Sequence, residues 1–426
     1  MLKIAIISAN TPSNPNTGML TVDFAAASLQ SQLPDVEFTW FTFPTPPEAP
    51  QSQFTEIVKS TIQFKELPDC LEEIYEHDLI FYWGDFLNSR TWLSQGGPSQ
   101  IQHRGYSPEE TWDIMARCML LRDAPDSVIR KTILFGGTIL PDKQSALEDE
   151  AYSKAFIRLA SNCHRAWMRE PISAARVAML RKNQQSCLGV DPALLLSPSA
   201  EFPAGAWSEG TTRRIGFFVG SRSPVTKDIL PFAEELAQRF DAELDWLPWL
   251  GQRRTKQRSI SDHIKGNLRL LLPLSTRRAQ ELSIRSSRKS LQMRDNLRAK
   301  TLRPPGKRIF GDLLRQLSRY EFVITDTYHL CVNAWRLGVP AICLGSEQPS
   351  VKFIKGGTLT DLKKYVFYLT YQATDLYFTL DQLKDPKSAS RAASVIDSAQ
   401  PQAIANRIKA HAQEVKSELI ATIREM

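Results

Sequence analysis

The spacing of the apolar runs is what most constrains this chain. Short runs at Lys3–Ser8, Glu37–Thr42, Asp78–Trp83, Thr132–Phe135 and Ala166–Arg169 are separated by long segments, of which Met19–Leu33, Pro108–Leu121, Ala151–Leu159 and Ile172–Lys182 have helical periodicity. Strands so far apart in sequence cannot be joined by tight hairpins, whereas connections that hold a helix let successive strands run parallel. The chain therefore predicts β-α-β units and a parallel sheet. The rhythm stops at Ser197–Thr212, which contains two prolines and two glycines and reads as a linker. It resumes with strand candidates at Ile215–Val219, Glu243–Leu247, Leu268–Leu272, Phe322–Thr325 and Ala341–Leu344, and helices near Lys227–Phe240, Phe310–Leu317 and Tyr328–Leu337. A chain of 426 residues exceeds what one core usually holds. The expected organisation is two α/β domains, 1–196 and 213–402, joined by the linker 197–212 and followed by an amphipathic C-terminal helix, 403–426, able to pack back across the first domain.

Composition excludes several classes. With 42% hydrophobic and 23% charged residues the chain is neither disordered nor fibrous, and no apolar stretch is long enough for a membrane span. Leu2–Ser8 runs straight into Asn10 and Pro12 and reads as a first strand, not a leader, so the expected location is cytoplasmic. The six cysteines and six histidines are scattered without ligand spacing, which predicts reduced thiols, no metal and no cofactor. Charge is uneven. Residues 252–308 carry 17 Lys and Arg against 3 Asp and Glu, within an overall net charge of +7. Such a segment is either a solvated insertion or a landing strip for an anionic partner, with a membrane surface or lipid-linked saccharide favoured. Nucleic acid is not expected, because the segment has no aromatic residue to stack bases.

Open parallel sheets bind ligands outside the carboxyl ends of their strands, so chemistry is sought just after each strand. Asn16-Thr17-Gly18 follows the first strand and opens a helix whose backbone N–H groups could hold an anion. Gly136-Gly137-Thr138 allows close backbone approach. Ser221 and Arg222 follow the strand ending at Val219, and arginine offers a planar fork suited to phosphate or carboxylate. Thr325-Asp326-Thr327-Tyr328-His329 follows Ile324, placing His329 in the first turn of a helix that ends before Gly338. The helix dipole there lowers the imidazole pKa and a bound anion raises it, so a substrate could make His329 a proton donor.

These residues resemble a family. Tyr320 to His329, followed by Ala334 and Leu337-Gly338-Val339-Pro340, is similar to the second-domain signature of the polysaccharide pyruvyl transferases, in which a strand enters an R-x-H turn and a helix leads to G-x-P. Arg169-Glu170-Pro171-Ile172-Ser173 resembles the family's R-E-x-x-S, Asp191-Pro192-Ala193 its D-P-A, and Ser221-Arg222 its S-R turn, all in order. The resemblance implies two Rossmann-like domains of glycosyltransferase B type with an interdomain active site. It implies phosphoenolpyruvate as donor and a glycan or lipid-linked saccharide as acceptor, giving a pyruvate ketal. It makes His329 the donor contact or general acid and Arg222 the grip on the donor's anionic groups; Ser221, Thr327, Tyr328, Asn16 and Gly18 are further candidate binding residues. Thr327 stands where the family has arginine. A cation such as Arg336, Lys352 or Lys355 would then replace that charge, or the donor differs, or catalysis is lost. Asp326, Asp85 and Asp23 are candidates for the unassigned base. A nucleotide-sugar glycosyltransferase and a non-catalytic relative are the alternatives.

Overall fold

The computed structural model describes residues 1–10, 16–44, 55–84, 87–90, 92–93, 97–139, 150–181, 187–197, 212–219, 228–247, 249, 310–345 and 359–426. Two sheets organise them. The first holds β1 (Leu2–Ile7), β2 (Val36–Thr42), β3 (Phe64–Glu66), β4 (Leu79–Trp83), β5 (Thr132–Gly137), β6 (Arg165–Met168) and β7 (Cys187–Leu188), in the order β3-β2-β1-β4-β5-β6-β7. The second holds β8 (Arg214–Phe218), β9 (Glu243–Trp246), β10 (Val323–Thr325), β11 (Ala341–Gly345) and β12 (Tyr377–Thr379), in the order β12-β11-β10-β8-β9. All pairings are parallel. The strand order reverses between β1 and β4 in one sheet and between β8 and β10 in the other, which gives two doubly wound, Rossmann-like domains.

Alternation along the strands places one face of the first sheet toward the second domain. Ile4 and Ile6 of β1 join a buried cluster that runs through Trp83 and Phe135 into Phe217 and Ile324, while Ala5 and Ile7 face a second cluster with Tyr82 and Met119. Both faces of this sheet are thus covered, as a parallel sheet requires. The strands that sequence periodicity misses, β3, β7 and β12, are edge strands of two or three residues, too short to show a period. The strand expected at Leu268–Leu272 lies outside the described residues.

The crossing between domains starts earlier than the turn-rich stretch. After β7, the buried 3-10 turn Pro192–Leu195 wedges between the domains, with Asp191 accepting from the Ala193 N–H at 3.0 Å. The C-terminal helix is Gln400–Arg424, beginning before the expected Ala403 because Pro401 is tolerated in a first helical turn. Its buried stripe Ile404, Ile408, Ala412, Val415, Leu419 and Ile423 follows helical spacing. This helix spans both domains: Trp167 Nε1 donates to Glu418 at 3.2 Å and His411 Nε2 lies 3.3 Å from the Leu188 carbonyl, while Tyr371 OH meets His411 Nδ1 at 3.1 Å.

Gly136 shows why the wedge fits. Its φ is 67°, and a Cβ there would lie 2.4 Å from Pro192 Cγ. Gly105 has a similar φ of 74° with nothing within 4 Å. Gly105→Ala should therefore cost only the left-handed backbone penalty, about 1 kcal/mol. Gly136→Ala should cost roughly 2 to 4 kcal/mol, because Pro192 must also move. Denaturant melts of the two variants check this; equal losses would show that the Pro192 contact is soft.

Candidate functional site

The two reversal points face each other. Asn16 caps the helix Thr17–Gln30, its Oδ1 accepting from the Gly18 N–H at 3.0 Å, and His329 lies in the first turn of the helix Tyr328–Arg336. The helices meet so closely that a Cβ on Gly18 would lie 2.2 Å from His329 Cβ. Further along, Asn333 Nδ2 donates to Thr21 Oγ1 at 3.0 Å, the Thr17 hydroxyl donates to the Trp249 carbonyl, and Phe24 meets Phe310 edge to face at 5.0 Å. The Thr17–Gln30 helix is accordingly buried on most of its surface. Asn16 and Gly18 act here as a cap and as the space His329 occupies: the Gly18 N–H is spent on Asn16, so it is not open to an anion.

Beside His329, three of the sequence segments converge. Arg169, just after β6, pairs with Asp191 at 3.3 Å, and both side chains are out of solvent, at 1% and 0% exposure. Asp191 also takes a hydrogen bond from the Tyr328 hydroxyl, whose pKa burial pushes far above its ordinary value. The Arg169 guanidinium lies 5.1 Å over the Tyr328 ring and Lys363 Nζ 4.9 Å from it. Tyr328 thus joins the domains instead of facing open space. Glu170 caps the helix Pro171–Leu180 through the Ser173 N–H at 3.0 Å and accepts from the Thr138 hydroxyl at 3.1 Å. Burial raises its pKa against those bonds. The Ser173 hydroxyl accepts from Ile139 N–H at 2.9 Å, so Glu170 and Ser173 fasten the loop after β5 while Arg169 reaches the joint.

His329 is 6% exposed, and its Nδ1 has no hydrogen-bond partner among the described residues. Its pKa falls from 6.5 to about 3, first through burial, opposed by Asp191 and reinforced by Lys363 and Arg169. Burial, and then the neighbouring cations, lower it in the same direction as the helix dipole invoked from sequence. The imidazole is neutral at physiological pH, and an anion placed beside it would raise its pKa.

The expected bases and cations sit differently. Asp23 is buried, its oxygens accepting from Ser8 Oγ at 2.7 Å and Asn10 Nδ2 at 2.8 Å, and burial raises its pKa to about 7. It braces the loop after β1. Thr327 turns its hydroxyl to Asp326 at 3.2 Å. Arg336, at the far end of its helix, donates to the Leu196 and Ser197 carbonyls at 3.1 and 3.3 Å, so it holds the interdomain crossing and cannot replace the missing arginine beside His329. Among the described residues, the cations near His329 are Arg169 and Lys363. Next to the latter, buried Lys364 donates to the Asp326 and Leu344 carbonyls at 3.0 and 2.8 Å, tying β10 to β11. Sequence reasoning missed this pair with its helix, Leu359–Thr370, although a lysine among Leu362, Val366 and Phe367 is a readable sign of a buried, partnered charge. Ser221, Arg222, Asp85, Lys352, Lys355 and the basic segment 252–308 lie outside the described residues.

The helix contact yields a test. Gly18→Ala should destabilise the protein by roughly 2 kcal/mol or more through overpacking, and much less in a His329→Gly background, where the opposing Cβ is gone. A double-mutant cycle measured by denaturant unfolding checks it; additive losses would mean that the two residues do not touch.

The sequence model for polysaccharide pyruvyl transferases matches residues 26–348. No curated protein sequence matches the chain. Similar solved structures include UDP-GlcNAc 2-epimerase from Methanocaldococcus jannaschii, 10% identical over 98% of this chain and 100% of that chain with a TM-score of 0.49. Another is UDP-GlcNAc 2-epimerase from Neisseria meningitidis bound to UDP-GlcNAc, 11% identical over 100% of both chains with a TM-score of 0.47. The match runs from Ala26 to Gln348, about three quarters of the chain, and takes in Arg169, Asp191, Tyr328 and His329. This chain belongs to the polysaccharide pyruvyl transferase family.

Proposed function

We propose that the chain transfers the pyruvyl group of phosphoenolpyruvate to two hydroxyls of a saccharide, releasing phosphate, in the cleft where the two reversal points meet. The observation that carries this reading is His329: a buried, neutral imidazole with an unpartnered Nδ1, beside Arg169 and Lys363, at the meeting point of the family's segments. A cationic neighbourhood suits an anionic donor. The arrival of its phosphate and carboxylate reverses the local electrostatics and lets the imidazole take up a proton.

The reaction balances with one general acid. His329 delivers a proton to the methylene carbon of the enol phosphate, and a saccharide hydroxyl oxygen bonds to the adjacent carbon. The bond from that carbon to the phosphate oxygen breaks with its electrons on phosphate, and the second hydroxyl closes the ketal. Of the two hydroxyl protons, one restores the imidazolium and the other leaves with phosphate. Lys363 is assigned the charge that Thr327 does not supply, and Arg222, through the family resemblance, the grip on the donor.

Phosphoenolpyruvate should raise the melting temperature where UDP-GlcNAc does not, since only a ligand of the folded state stabilises it. Stabilisation by the nucleotide sugar alone would favour a glycosyltransferase. The lowered His329 pKa sets the sign of the pH dependence. Free protein holds the imidazole neutral above about 3, so donor binding near pH 7 should take up a proton and strengthen as pH falls toward 6. Calorimetry in buffers of different ionisation enthalpy reads that uptake, and His329→Gln should abolish it while lowering turnover roughly 100-fold.

Lys363→Met should weaken phosphoenolpyruvate binding about 10-fold or more, as expected for loss of a charge-assisted contact, with little change in melting temperature because the side chain is only half-buried. Unchanged affinity would remove Lys363 from the donor site.

A further inference from the structure

The connection leaving the carboxyl end of β4 builds a second concave surface that the donor site does not use. Leu93 and residues between Pro98 and Trp112 line a groove of about 460 Å³. That is within the roughly 300 to 1,000 Å³ of small-molecule sites. Among its lining residues are two half-buried aromatic side chains, Tyr106 and Trp112, and the side chains of Ser99, Gln102 and Thr111. Among the described residues, no lining residue carries a formal charge. Hydroxyl and amide groups both donate and accept hydrogen bonds, and an aromatic face offers flat apolar surface with a polar tip. That pairing fits a neutral ring with apolar C–H faces and a hydroxyl rim. It does not fit a phosphate, which would need cations, or an apolar chain, which would leave the polar groups unmatched.

The groove is also held in shape. Arg104, between Gln102 and Tyr106 in sequence, pairs with Asp69 at 2.8 Å through both terminal nitrogens and with Glu66 as well, fastening the segment to residues that end and follow β3. The helix Pro108–Leu120, whose first turns bear Thr111 and Trp112, opens with a reciprocal capping box: Ser107 Oγ accepts from Glu110 N–H at 3.2 Å and Glu110 from Ser107 N–H at 2.8 Å. Arg104's charge is thus spent on two carboxylates, and the walls are set before any ligand arrives, which limits the ordering cost of binding. Ligands of open parallel sheets bind at the carboxyl ends of the strands, where this connection originates.

We propose that this groove binds neutral sugar residues of the saccharide acceptor, away from those that react. The proposal rests on the pyruvyl transferase reading only for the word acceptor; the groove's chemistry stands without it. The full-length protein is titrated with neutral galactan, glucan and mannan hexasaccharides, with hydrogen exchange followed over 97–112. At least one hexasaccharide should protect that segment. Trp112→Ala and, separately, the exposed Gln102→Ala should weaken its binding by about 10-fold or more, while phosphoenolpyruvate still raises the melting temperature of both variants. Gln102→Ala keeps the test valid if Trp112→Ala fails to fold. Protection elsewhere, or binding untouched by Gln102→Ala, overturns the groove, as does the absence of binding by all three glycans. If phosphoenolpyruvate fails to bind while a hexasaccharide protects 97–112, the donor reading falls and the sugar groove survives.

Discussion

The buried joint of Arg169, Asp191 and Tyr328 is the interaction on which the rest of this structure depends. It takes one residue from the end of the first sheet, one from the crossing between domains and one from the second domain. An ion pair withdrawn from water adds little net stability, but removing either partner strands a buried charge, so such a pair enforces one arrangement. Here that arrangement brings the two reversal points together. The Pro192 wedge beside Asp191, the Arg336 bonds to the crossing and the C-terminal helix then secure the same geometry from other sides.

That geometry sets the chemistry of His329. In the first turn of an exposed helix the dipole alone would lower the imidazole pKa; buried against Gly18 and near Arg169 and Lys363, it is kept neutral. Burial first, and the two cations after it, hold the proton off. Burial at the joint and proton affinity at the site are consequences of one packing arrangement. Asp23 shows the same logic in reverse, with burial favouring its neutral form while two hydrogen bonds favour the ionised one.

Much of the frame was legible because it rests on local pattern. The spacing of apolar runs implied parallel sheets, and the rule that ligands gather after strands singled out Gly18 and His329, more than 300 residues apart, before their contact was known. The edge strands β3, β7 and β12 escaped, as two or three residues carry no readable period. Arg336 looked like a spare cation near His329 in sequence, but a helix separates its two ends in space, and its guanidinium went to the crossing. Lys363 and Lys364 went unnoticed because their importance lies in which carbonyls and rings another part of the chain presents to them.

By itself, then, the sequence determined two doubly wound domains, the family segments in order and the candidate positions after strands, since periodicity and strand-end placement are properties of neighbouring residues. Only the tertiary structure decided that Gly18 makes room for His329, that Tyr328 is a joint, and that the imidazole is neutral. Those outcomes depend on burial and on charges brought together from distant parts of the chain, and neither quantity exists until the domains have packed.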